Sequence, residues 1–122
     1  MTFIAVLMSF VALQGASFKA TLTAAGHAPT VNARWAYSVK VTSAAGKPLA
    51  ARITVQTKDP LGGIHPIEFF NVKKNIVNYP FRGAFRDAIT WPPESRGIPL
   101  TLRITVSSGG AKRIINYAVI PK

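Results

Sequence analysis

An all-β antiparallel sandwich of about seven strands is the fold this sequence predicts. Three observations carry the prediction. Apolar residues recur at every second position in several separate stretches, the period of a half-buried strand. Clusters of Gly, Pro, Ser and Asp stand between those stretches. No stretch carries apolar residues at the spacing of an amphipathic helix.

The elements follow in order. Phe18, Ala20, Leu22 and Ala24 alternate with Lys19, Thr21 and Thr23. Trp35, Tyr37, Val39 and Val41 alternate with Arg34, Ser38, Lys40 and Thr42, the clearest case in the chain. The turn from Ser43 to Pro48 contains Gly46, which reaches positive φ at little cost. Ala51, Ile53 and Val55 then alternate with Arg52, Thr54 and Gln56. After the turn Asp59-Pro60-Leu61-Gly62-Gly63, a short strand is expected around Ile64 to Phe70, and a loop from Val72 to Tyr79. Phe81, Phe85 and Ile89 share one face of a single strand that Trp91-Pro92-Pro93 ends. Leu100, Leu102, Ile104 and Val106 make the next strand, and Ile115, Tyr117 and Val119 the last. Ser107-Ser108-Gly109-Gly110 between them is a hairpin signal.

Short antiparallel strands at this spacing point to an immunoglobulin-like or fibronectin-like sandwich. The chain has no cysteine, so packing alone must join its sheets. The expected core is Trp35, Tyr37, Val39, Val41, Ile53, Val55, Phe85, Leu102, Ile104 and Tyr117, with Lys40, Arg52 and Arg103 exposed. Residues 18–122 read as one domain, with no repeat and no linker.

Residues 1–17 carry no charge, and the apolar run from Phe3 to Leu13 ends in the small residues Gly15, Ala16 and Ser17. That pattern reads as the apolar region and cleavage zone of a signal peptide. The run is shorter than the ~20 residues a membrane span needs. The expected location is secreted or associated with the cell envelope.

Two stretches carry a resemblance. Tyr37-x-Val39-x-Val41-Thr42-x-x-x-Gly46-Lys47-Pro48-Leu49 resembles the strand–turn–strand of exported bacterial immunoglobulin-like domains. Phe81-Arg82-Gly83-Ala84-Phe85-Arg86-Asp87, then Trp91-Pro92 and Ser95-Arg96-Gly97-Ile98-Pro99-Leu100, is similar to small secreted proteins of actinobacteria. The resemblance implies a fold and a compartment, and brings no catalytic residues with it.

Composition excludes much chemistry. Without cysteine there is no thiolate metal site, no iron–sulfur cluster and no cysteine nucleophile. Asp59, Glu68, Asp87 and Glu94 are the only acids, too dispersed for a paired-carboxylate hydrolase. Neither histidine has a Gly-x-Ser-x-Gly elbow to serve, and no phosphate-binding loop or His-Glu-x-x-His occurs. The expectation is a non-enzyme that needs no cofactor.

Against those acids stand 15 Lys and Arg, a net charge of +11. Such a surface concentrates anionic partners. The basic residues are dispersed among the strands without stacking aromatics, which argues against nucleic acid. For an exported protein the partners are a protein, a cell-wall polymer or another anionic envelope component. The expected partner surface is the irregular middle, where Lys73, Lys74, Arg82, Arg86 and Arg96 join Trp91, read as an exposed aromatic. Two alternatives accompany this reading: a polyanion- or glycan-binding module, and a copper-handling domain using His27 and His65.

Overall fold

The computed structural model describes residues 18–122, and the signal-peptide reading of residues 1–17 lies outside them. The eight strands among the described residues are β1 (Phe18–Ala24), β2 (Arg34–Ser43), β3 (Ala50–Lys58), β4 (Ile64–Pro66), β5 (Tyr79–Arg82), β6 (Ala84–Thr90), β7 (Leu100–Ser108) and β8 (Ala111–Val119). One short 3-10 turn, Pro93–Ser95, interrupts the strands. A three-stranded sheet has the order β1-β2-β6, and a five-stranded sheet the order β4-β3-β7-β8 with β5 also paired to β3. All named pairs are antiparallel. The order matches an immunoglobulin-type sandwich in which the first, second and fifth conserved strands form one sheet.

Alternation along each strand decides which side chains meet between the sheets. Leu22, Val39 and Phe85 lie in one row across the smaller sheet. Val55, Ile104 and Ile115 form the facing kind of row in the larger one. Val39, Val41, Ile53, Val55, Leu102, Ile104 and Val106 are completely buried. Burying one such side chain contributes ~1.5–3 kcal/mol, so these rows hold the sheets together without a disulfide.

Nine of the ten expected core residues are buried, and Tyr117 is only half-buried. It lies on the edge strand β8, where His27 rather than the core covers one ring face. Arg103 is half-buried rather than exposed, because it stands between Gln56 and Asn116 on the flanking strands.

The middle of the chain departs most from expectation. The single strand expected through Phe81, Phe85 and Ile89 is two strands in different sheets. Gly83 makes the change with φ +78°, its carbonyl accepting from Val41 N–H and its own N–H donating to Leu49. A Cβ there would stand 3.1 Å from Cβ of Pro48. Phe81 and Phe85 nevertheless face the same interior, their ring centres 5.8 Å apart. That break accounts for an eighth strand.

The strand expected to reach Phe70 ends at Pro66. Beyond it the chain straps the open edge of β3: Ile67 N–H donates to Val55, and Val55 N–H to Ile76. Ile76 is completely buried, an anchor that the surrounding Lys and Asn residues conceal in the sequence. The β7–β8 hairpin forms as expected, with Gly109 and Gly110 both at positive φ between Ser108 and Ala111.

Candidate functional site

The outer face of the three-stranded sheet is built from the polar positions that alternate with the core. Register places Thr21 opposite Lys40, and Lys40 opposite Ala84. The next row is Thr23, Ser38 and Arg86. Lys40 and Arg86 are therefore diagonal neighbours, ~7–8 Å apart at the backbone. Arg82 arrives at the same place because Gly83 turns the chain from one sheet into the other.

Together these residues border a hollow of about 560 Å³. Lys40, Arg82 and Arg86 form its walls, Thr21, Thr23, Ser38 and Thr42 supply hydroxyls, and Gly83 and Ala84 leave it open. No carboxylate lines it. The ion pair present among the described residues joins His65 to Asp59, so none of the three cations is neutralised. Adjacent like charges repel, and an anion between them relieves that repulsion. Guanidinium forks and hydroxyls are also the donors that suit phosphate-like oxygens.

A second hollow, of about 530 Å³, continues the first along the sheet and shares Thr23, Ser38 and Arg86 with it. Its floor includes Ala36, and its far wall is Arg34, whose guanidinium lies 5.5 Å from the centre of the Phe70 ring. Asp87 borders this far part. Its carboxylate accepts from the Phe70 N–H at 3.2 and 3.3 Å, which fixes the loop against β6.

The six residues expected to form one partner surface do not come together. Arg82 and Arg86 meet at the hollow, joined by Lys40, which the sequence presents only as one polar position of a strand. Lys73 and Lys74 sit on the loop beyond Phe70, and Arg96 follows the 3-10 turn at the other end of β6. Trp91 is not an exposed aromatic: it is 2% exposed and packs edge-on to Trp35 with ring centres 5.6 Å apart. Its carbonyl also accepts from Asn32 N–H, so the segment after β6 closes the end of the core.

The histidines are likewise held apart. His27 stacks on Tyr117 at 4.1 Å and bonds through Nδ1 to the Ala118 carbonyl, beside the β8 edge. His65 lies on β4, at the opposite edge of the same sheet. Three strand spacings of ~4.8 Å put on the order of 14 Å between the two edges, too far for one metal ion. Among the described residues no group of three His or acidic side chains gathers around a common point.

His65 Nε2 instead meets Asp59 Oδ2 at 2.8 Å, while Asp59 Oδ1 accepts from the N–H groups of Leu61 and Gly63. The His65 hydrogen bond and then that from Gly63 hold the Asp59 carboxyl below its usual range. Asp59, His65 and Ser95 border one apolar hollow of about 670 Å³ and are the residue types of a hydrolytic triad. Ser95 is buried and its hydroxyl donates to the Pro92 carbonyl at 2.6 Å. The Ser95 hydroxyl is thus bonded to a carbonyl and His65 to Asp59, with no hydrogen bond between serine and histidine among the described residues.

Comparison with known proteins adds a weak structural likeness. No protein-family model matches the chain, and no curated protein matches it. The fold is similar to the crystal structure of a DUF4466 family protein from Parabacteroides merdae, with TM-score 0.46 and 12% identity. That likeness covers 87% of this chain, which spans only 44% of the other. None of these findings supports the resemblance to exported actinobacterial immunoglobulin-like proteins.

Proposed function

We propose that this protein is a non-catalytic binding module that holds an anionic ligand on the outer face of β1-β2-β6. The observation that carries the reading is the convergence of Lys40, Arg82 and Arg86, none of them ion-paired, on a hydroxyl-lined hollow without a carboxylate. Each charge-assisted hydrogen bond contributes ~1.5–3 kcal/mol, enough for three donors to hold a multiply charged group. A sandwich suits such a task, because its rigid rows keep the cations apart at fixed spacing while the core carries the stability.

The setting we propose is outside the cell or at its envelope, from the signal-like pattern of residues 1–17. Among the described residues no helix is long and apolar enough to cross a membrane. Secreted protein recovered from a native host should then begin between Gly15 and Phe18, by mass spectrometry of its N-terminus. Intact Met1 on the secreted protein would remove the cleaved signal, and purely cytosolic recovery would remove this setting.

Titration with tripolyphosphate, followed by backbone amide shifts, tests the binding reading. Amides of Thr21, Ser38, Lys40 and Arg86 should move, and affinity should fall steeply as salt rises. Shifts scattered over all basic residues, or none, would overturn it.

A further inference from the structure

From the relief of this face we infer that the ligand is a linear phosphate-bearing polymer without bases, lying along β2 from Lys40 to Arg34. The inference rests on the anion-binding reading and adds the ligand's shape and chemistry. The two hollows share Thr23, Ser38 and Arg86, so they form one trough and not two sites. Lys40 and Arg34 stand six residues apart on one strand, ~20 Å at ~3.4 Å per residue. Arg86, opposite Ser38, supplies a cation between them.

A single small anion would use only the Lys40 end. A trough with cations at both ends and in the middle, and with its bordering carboxylate Asp87 engaged by the Phe70 N–H, fits a chain whose charges repeat along its length.

Two features select among polymers. Bases bind single-strand sites by stacking on aromatic faces. The trough is bordered by the aromatic residues Tyr37, which is buried with its ring in the core, and Phe70, whose ring is already covered by the Arg34 guanidinium. Its floor and sides are Ala36, Ala84, Ser38 and three threonines, which give neither a base nor a sugar ring a flat partner. What they leave is a narrow path with hydroxyl donors. A thin, flexible chain of phosphates fits that path.

The experiment compares tripolyphosphate, a polyphosphate chain long enough to span ~20 Å, a chain several times longer, and a thymidine 20-mer, at matched charge and salt. The spanning chain should bind at least ten-fold more tightly than tripolyphosphate, with little gain beyond that length once extra sites per chain are counted. Arg34→Ala should reduce affinity for the spanning chain several-fold while leaving tripolyphosphate binding unchanged, which also reports that the variant is folded. Equal affinity for short and long chains would overturn the polymer, although the anion site would stand. A thymidine 20-mer that binds more tightly than polyphosphate would overturn the base-free ligand. Failure of tripolyphosphate to move the Lys40 and Arg86 amides would remove the site itself.

Discussion

The two outer faces of this sandwich carry similar charge and differ in how many cations meet at one hollow. On the smaller sheet the outward basic residues are Lys19, Arg34, Lys40 and Arg86; on the larger sheet they are Arg52, Lys58, Arg103 and Lys112. Around the first set stand Ala36, Ala84, Ser38 and threonines, so the cations rise as walls above a low floor. Around the second, Gln56, Thr54, Thr105, Asn116 and Ile114 stand among the charges, and a hollow of about 470 Å³ opens at the hairpin end between Arg52 and Lys112. Arg52 is also engaged, its Nη1 donating to the Asn78 carbonyl at 2.9 Å. Net charge attracts anions to both faces, but a site needs cations that converge on empty space. Three cations, Lys40, Arg82 and Arg86, meet at the hollow of the smaller sheet, against Lys112 and the engaged Arg52 at that of the larger.

The largest expected effects test whether both sheets are equally rigid platforms. Phe85→Ala in the smaller sheet should cost ~3–5 kcal/mol and Ile104→Ala in the larger ~2–5 kcal/mol, read from urea unfolding. A cost below ~1 kcal/mol at Phe85 would mean that the smaller sheet is loosely held and its trough poorly defined.

Matched charge reversals then compare the outer faces directly. Lys40→Glu with Arg86→Glu should weaken polyphosphate binding on the order of 100-fold, as expected for losing two charge-assisted contacts. Arg52→Glu with Arg103→Glu changes net charge equally and should cost less than about ten-fold. Equal losses from the two pairs would reduce the comparison to net charge.

Gly83→Ala probes the turn that delivers Arg82 to the hollow. Its φ of +78° and the 3.1 Å approach to Pro48 predict a loss of ~1–3 kcal/mol in stability. Weaker tripolyphosphate binding should accompany that loss at temperatures where the variant remains folded. Unchanged binding would show that Arg82 stands outside the site.

The smallest effect concerns pH at the other end of the molecule. Hydrogen bonds hold Asp59 below the ordinary value of 3.8, so its contribution is present above that value and is lost as pH falls through the lower folded value. Protection of the Leu61 and Gly63 amides, relative to intrinsic exchange at the same pH, should fall there, while the Ser38 and Lys40 amides in the centre of the smaller sheet stay protected. Simultaneous loss of protection in both places would tie the Asp59 loop to global unfolding.

Strand positions and inward rows were legible in the sequence because period-two alternation survives wherever one face of a strand is buried. Trp35 through Val41 and Leu100 through Val106 are read correctly for that reason. The hairpin at Gly109-Gly110 was equally legible, since its turn needs positive φ at two successive positions. Alternation does not say which sheet a strand joins. The run from Phe81 to Ile89 keeps its inward phase across Gly83 while its hydrogen bonds change partners.

The burial of Trp91 and Ile76 was decided by segments distant in the chain, Trp35 against the one and the β3 edge against the other. The candidate site belongs to the same class. Lys40 and Arg86 are 46 positions apart and ordinary in their own strands, and only the β2–β6 register makes them neighbours. Local sequence determined the strands and the excess of positive charge. Pairing between remote strands decided where that charge converges, because register is set by which inward rows pack together, a property of both sheets at once.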